Sequence, residues 1–289
     1  MDTLVKALAH QGAIRIIVCD TTETVKHAAQ IHQTYPTSTA ALGRTLSAAA
    51  LMGSMLKEEN AKISIQINGG GPLGSIIADV NSKCEVRGFV GNPDVLLIND
   101  DTHKLDVGKA VGNSGTLRVT KDLKLKDKFT GTVELQTGEI AEDFAYYFTV
   151  SEQTPSAVSL GVLVDENNEV IASGGLMIQM MPFATEADIQ IAEDVVQHLK
   201  PISTMIHEGM KPQEIAEAIF QDVSILSTQA VTFKCDCSKE RMFEALRTLK
   251  NHELLEMIEE DHGAELSCHF CNSQYRFTED ELRSLIKAS

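Results

Sequence analysis

The chain has 289 residues, 43% of them hydrophobic, with no tryptophan and a formal net charge of -16. That length accommodates two domains or one large domain with attachments, and the composition is that of a globular protein. So negative a charge argues against a general affinity for nucleic acid or anionic membrane, and no apolar run approaches the length of a membrane span.

Met1-Asp2 opens the chain with an acid and no signal-peptide pattern follows, so the expected location is cytoplasmic. In chain order, Leu4 to Ala9 and Ala13 to Cys19 read as two strands joined at Gln11-Gly12. Thr21 or Thr22 caps a helix reaching about Gln33, and Ser38 caps a longer helix of small residues from about Ala40 to Lys57. Strands follow at Lys62–Ile67, Gly74–Asp79 and Glu85–Val90. Further strand-like runs lie at Thr116–Val119, Gly131–Leu135, Phe144–Val150, Val158–Val164 and Val170–Met180, the last two joined by a turn at Asp165 to Asn168.

Gly69-Gly70-Gly71-Pro72-Leu73-Gly74 fits Gly-x-Gly-x-x-Gly. A dinucleotide site needs that motif between a strand and a helix, and here strands follow it, so it reads as a turn. Neither an ATP-binding lysine motif nor a paired-histidine zinc-protease motif occurs. Cys19 ends an apolar strand and Cys84 sits in another, and both, isolated there, read as inert packing residues.

After Pro182 the pattern turns helical. Ile189, Ala192, Val195, Val196 and Leu199 recur at helical spacing, Pro201 interrupts, another helix ends at Gly209, and Pro212 starts one with Ile215, Ala216, Ile219 and Phe220. No strand is expected before about Val231. The fold class is therefore α+β: a mixed-sheet core over 1–181, an all-helical bridge over 182–230 and a small cysteine-bearing module over 231–289.

The last module carries Cys235-Asp236-Cys237, thirty residues, then Cys268-His269-Phe270-Cys271. Two close cysteine pairs around a foldable insert point to one tetrahedral four-thiolate zinc site. In the insert, Ser238 caps a helix with Met242, Phe243, Leu246 and Leu249 on one face. A second helix lies around Leu254 to Ile258, and Thr278 with Glu281 forms a capping box for a third. His252, His262 and His269 read as bystanders, because four cysteines already fill the shell. From Cys235 onward twelve acidic residues face seven basic ones, unlike a nucleic-acid-binding finger. A module this small leans on its metal.

These residues resemble the redox-regulated heat-shock protein 33 family of bacterial chaperones. The resemblance is carried by the four cysteines and by Ala41-Leu42-Gly43-Arg44-Thr45-Leu46. Gly69 to Gly74, Ser151-Glu152-Gln153-Thr154-Pro155-Ser156 and Gly174-Gly175 add to it. It implies an ATP-independent holdase rather than an enzyme, with no nucleotide or other organic cofactor. Reduced protein would hold one zinc through Cys235, Cys237, Cys268 and Cys271 and be inactive. Oxidation would pair Cys235 with Cys237 and Cys268 with Cys271, free the zinc and unfold the module and bridge. Unfolding client proteins would then be protected under oxidative and heat stress. The family pattern further implies a monomer when reduced and a homodimer when oxidised. Two other readings fit parts of the pattern: an acidic zinc module for nucleic acid or protein interaction, and a thiol-disulfide enzyme.

Overall fold

A computed structural model of the chain describes residues 1–286. It divides into two compact units, Met1–Lys234 and Cys235–Ser289.

The first unit begins with β1 (Thr3–Ala9), β2 (Ile14–Asp20), α1 (Thr22–His32) and α2 (Pro36–Gly53). Next come β3 (Lys62–Asn68), β4 (Ile76–Asn81), β5 (Glu85–Val90), α3 (Val107–Val111), β6 (Thr116–Asp122), β7 (Phe129–Glu134) and α4 (Ala141–Val150). Then follow β8 (Ser156–Val164), β9 (Val170–Met180), α5 (Glu186–His198), α6 (Ile202–His207), α7 (Pro212–Ile219), β10 (Ser224–Ala230) and β11 (Thr232–Phe233). One sheet runs β10-β1-β2-β9-β8, all antiparallel. The other runs β11-β5-β4-β3-β6-β7 and is mixed, since β11 pairs in parallel with β5.

Period-two alternation in β2 explains how the layers stack. Ile17 and Cys19 point to one face, into a core with Leu42, Leu46 and Leu51 of α2 and Ile63, Ile65 and Val119 of the six-stranded sheet. Ile14, Ile16 and Val18 point to the other, against Ala192, Ile202, Met205 and Ile215 of α5 to α7. α2 is thus buried between the sheets nearly all round, which its small residues permit: a Cβ on Gly43 would lie 2.7 Å from methyls of Val25 and Val162. The helices after Pro182 cover the outer face of the five-stranded sheet.

α6 sits on a glycine patch. Gly161 of β8 and Gly174 of β9 are direct cross-strand partners. A Cβ on Gly161 would fall 2.4 Å from Ser203 Oγ, and one on Gly174 2.3 Å from Ile206 Cδ1. α5 has a polar anchor at its start and packs Ile191, Ala192, Val195 and Leu199 on the core. Thr185 caps it, and the Asp188 carboxylate accepts from the Thr185 backbone and hydroxyl and from His10 Nδ1. The N–H groups of His10 and Gln11 donate to Asp222, closing the β1–β2 turn onto the end of the helical run.

Four local expectations differ from the structure. Phe144–Val150 is helix: the strand-like aromatic composition masks an i, i+3, i+4 stripe of Phe144, Tyr147 and Phe148 that is buried, and Asp143 caps the helix start. Helix α2 starts at Pro36, a residue suited to the first helical turn, so Ser38 lies inside it and donates to backbone carbonyls of Asn92 and Val95. Ser224–Ala230 is a strand, not helix: its alternate residues Ile225, Ser227 and Gln229 face inward while it pairs with β1. Cys84 sits in the turn before β5 at φ +54, not in a strand.

The second unit contains α8 (Lys239–Leu246), α9 (Asn251–Glu259), the hairpin β12 (Gly263–Ser267) and β13 (Gln274–Thr278), and α10 (Glu279–Arg283). Ser238 caps α8, and Thr278 with Glu281 forms the capping box of α10. Its core is thin: Leu246, Leu254, Ile258, Phe277, Leu282 and Leu285. Among the described residues, no helix is long and apolar enough to cross a membrane.

Candidate metal centre

Two short backbone devices present the cysteines. Cys235 and Cys237 flank Asp236, whose carbonyl and carboxylate both receive Arg241 from the first turn of α8, 2.8 and 2.6 Å away. Cys268 follows β12 directly. Its N–H donates to the Ser273 carbonyl at 2.9 Å, while its own carbonyl receives the N–H of Cys271 and of Asn272. Asn272 takes φ +55 to let the chain re-enter β13. The β12–β13 ladder thus fixes Cys268 and Cys271, and α8 fixes the first pair.

The four sulfurs lie within 4.8 Å of one another. Cys235 Sγ is 3.7 Å from Cys268 Sγ, and Cys237 Sγ is 3.3 Å from Cys271 Sγ. Sulfurs placed about 2.3 Å from one ion at tetrahedral angles stand about 3.8 Å apart, so the spacing suits a single metal. Charge argues the same way. Burial and the neighbouring thiols push Cys235 up to about 12, and burial raises Cys268 as well. At Cys271 burial acts upward too, but hydrogen bonds from Ser273 and from the Cys237 and Cys235 thiols outweigh it and hold the group at about 7. Four sulfurs this close resist ionising together unless a cation offsets their charge. Four thiolates together call for a dication, and an all-sulfur tetrahedral set is a zinc-type donor set.

Two hydroxyls stand against the cluster. Tyr275 Oη is 3.1 Å from Cys237 Sγ, and Ser273 Oγ is 3.2 Å from Cys271 Sγ. The Cys237 sulfur raises the Tyr275 phenol to about 12. His262 instead pairs with Glu279 at 3.0 Å, and His252 and His269 are exposed outside the cluster. Arg241, Ser273 and Tyr275 were not readable as site residues. The nearest sequence signal was the strand alternation of Tyr275 with Phe277. Elsewhere, Gly69 to Gly74 is a turn against α3, with Gly71 and Leu73 donating to carbonyls of Val111 and Ala110, and β4 follows it.

A sequence model of the "Hsp33 protein" family matches residues 2–278. The chain belongs to the Hsp33 family. It is 49% identical over 286 residues to the 33 kDa chaperonin of Bacillus pumilus, covering 99% of this chain and 98% of that one. It is 46% identical to the 33 kDa chaperonin of Clostridium botulinum, covering 100% and 98%. The crystal structure of the 33 kDa chaperonin (heat shock protein 33 homolog) from Thermotoga maritima superposes with a TM-score of 0.89 at 36% identity, covering 98% and 97%. The Hsp33 family is one of chaperones, not enzymes, and the four-cysteine cluster is of a kind that can hold a metal ion.

Proposed function

We propose that this chaperone is an ATP-independent holdase of the cytoplasm, switched by oxidation of its four-cysteine cluster. The observation that carries the reading is that four sulfurs from two segments thirty residues apart in a thin-cored unit converge within 4.8 Å. In the reduced state Cys235, Cys237, Cys268 and Cys271 would hold one zinc per chain. When bound, zinc keeps all four sulfurs as thiolates, the form oxidants attack, and adds apparent folding energy of roughly 10–16 kcal/mol in small peptides. A whole domain's net stability is only about 5–15 kcal/mol, so this unit depends on that contribution.

Oxidation to Cys235–Cys237 and Cys268–Cys271 disulfides removes the ligands. Bridges across one and two intervening residues restrain the unfolded chain little and do not replace the metal. The unit then opens, helices α5 to α7 leave the five-stranded sheet, and the uncovered apolar surface holds unfolding client proteins. The reduced protein is a monomer in this reading and the oxidised protein a homodimer. An overall charge of -16 gives no support to a nucleic-acid partner.

Elemental analysis of reduced protein, followed by peptide mapping after peroxide, tests the site. The expected outcome is one zinc per chain, its loss in Cys268→Ser, and bridges 235–237 and 268–271. Full zinc retention in Cys268→Ser, or bridges joining the nearest sulfurs across the pairs (235–268 and 237–271), contradicts the assignment.

A further inference from the structure

The hydroxyl of Tyr275 is a long-range polar partner of the cluster. Ser273 reaches Cys271 from two residues away, inside the same turn. Tyr275 reaches Cys237 across 38 residues of sequence. Its backbone is fixed opposite Leu266 in the β12–β13 ladder, and its half-buried ring packs against the core built on Leu246, Leu254 and Phe277. Little freedom is left for the hydroxyl to turn elsewhere.

With Cys237 as a thiolate, only the phenol has a proton to give, so Tyr275 donates and the sulfur accepts. Such a bond draws electron density from the sulfur. It also ties the Cys-x-Cys segment to the hairpin that carries the other pair, independently of any metal.

We propose that Tyr275 is a positioning residue of the redox switch, which restrains Cys237 and slows its oxidation so that the centre resists low oxidant levels. The inference rests on the zinc-thiolate reading above. The step it governs is a two-electron oxidation by hydrogen peroxide. A thiolate attacks one peroxide oxygen, an S–O bond forms, the O–O bond breaks and hydroxide leaves. The partner thiolate then displaces hydroxide from the sulfenic acid as the S–S bond forms, and two protons from solvent turn both hydroxides into water. Two thiolates are oxidised and one peroxide is reduced. Nucleophilicity rises with sulfur electron density along a Brønsted slope of about 0.4–0.5, so loss of the donor should accelerate the first step about three- to tenfold.

The test uses the full-length zinc-loaded protein and follows zinc release with a colorimetric chelator under excess hydrogen peroxide. Tyr275→Phe keeps the ring and removes the donor. It should release zinc several-fold faster than the parent, with the same starting stoichiometry and an unchanged pattern of disulfides. Replacing Tyr275 by 3-fluorotyrosine strengthens the donor and should slow release below the parent rate, a change that a purely packing role would not produce. Equal rates in all three proteins overturn the proposal. Should Tyr275→Phe fail to load zinc, the fluorinated protein decides alone: a rate equal to or above the parent's overturns it. A parent protein that carries no zinc would instead defeat the reading on which the proposal rests.

Discussion

Cys19 and Cys84 carry the same side chain as the four clustered sulfurs in opposite surroundings. Both are wholly buried. Burial pushes the Cys19 thiol well above its ordinary range and Cys84 up to about 11, so both stay protonated near neutral pH. Gln229 Nε2 donates to Cys84 Sγ at 2.6 Å, a downward pull that burial outweighs, and the Cys19 thiol donates to the Ser47 carbonyl at 3.8 Å. A Cys19→Ser/Cys84→Ser double variant should therefore still gain holdase activity on oxidation, measured by client light scattering. Loss of activation in a double variant that remains folded would overturn this. The cluster was legible because Cys-x-Cys and Cys-x-x-Cys spacing is local. The Tyr275 contact was not, because only the hairpin register brings it to Cys237, and nothing near Cys84 in the sequence announces its φ of +54.

Between elements, the seating of the helical run decides how readily it can leave. In α5 only Asp188 and Ala192 are fully buried, with Ile191, Val195 and Leu199 half-buried against the same core, so a polar anchor at its first turn adds to a thin apolar seam. The Asp188 carboxyl is held below the usual range by the Thr185 N–H and hydroxyl and then by His10, and Asp222 by the N–H groups of His10 and Gln11. A carboxyl lowered on folding stabilises above its unfolded value of about 3.9, and that contribution fades as pH falls through the folded value. Asp188→Asn should lower the melting temperature at pH 7, with the gap to the parent closing below about pH 4. A gap independent of pH would show that the carboxylate charge is not what anchors α5. α6 depends on shape instead. Gly161→Ala puts a methyl into Ser203, and Val195→Asp places a charge on the half-buried face of α5. Both should raise hydrogen exchange in the helices while β2 and β9 stay protected, and both should suppress client aggregation while zinc-bound and reduced. If the helices are open and the protein stays inactive until oxidised, their exposure is not the switch. Helical spacing made α5 to α7 readable in sequence, as did their proline and glycine punctuation. β10 escaped because Ser224, Ser227, Thr228 and Gln229 give an edge strand too weak an alternation, and pairing with β1 rather than propensity makes it a strand.

Across the whole molecule, two units of unequal robustness share one chain. Met1–Lys234 buries α2 between two sheets, whereas Cys235–Ser289 closes, among the described residues, over a core built on six buried apolar side chains and a thiol cluster. The smaller unit, with the thinner core, therefore has the lower resistance to unfolding. The central claim is that oxidation of this cluster turns the chaperone on. The most direct measurement follows, in one peroxide titration of the full-length protein, the zinc freed and the light scattered by a heat-unfolding client. The account predicts that suppression of scattering rises in step with zinc release, and that a reductant supplied with zinc reverses both. A protein that suppresses aggregation fully while reduced and zinc-loaded, or that releases its zinc and still fails to protect the client, would contradict it.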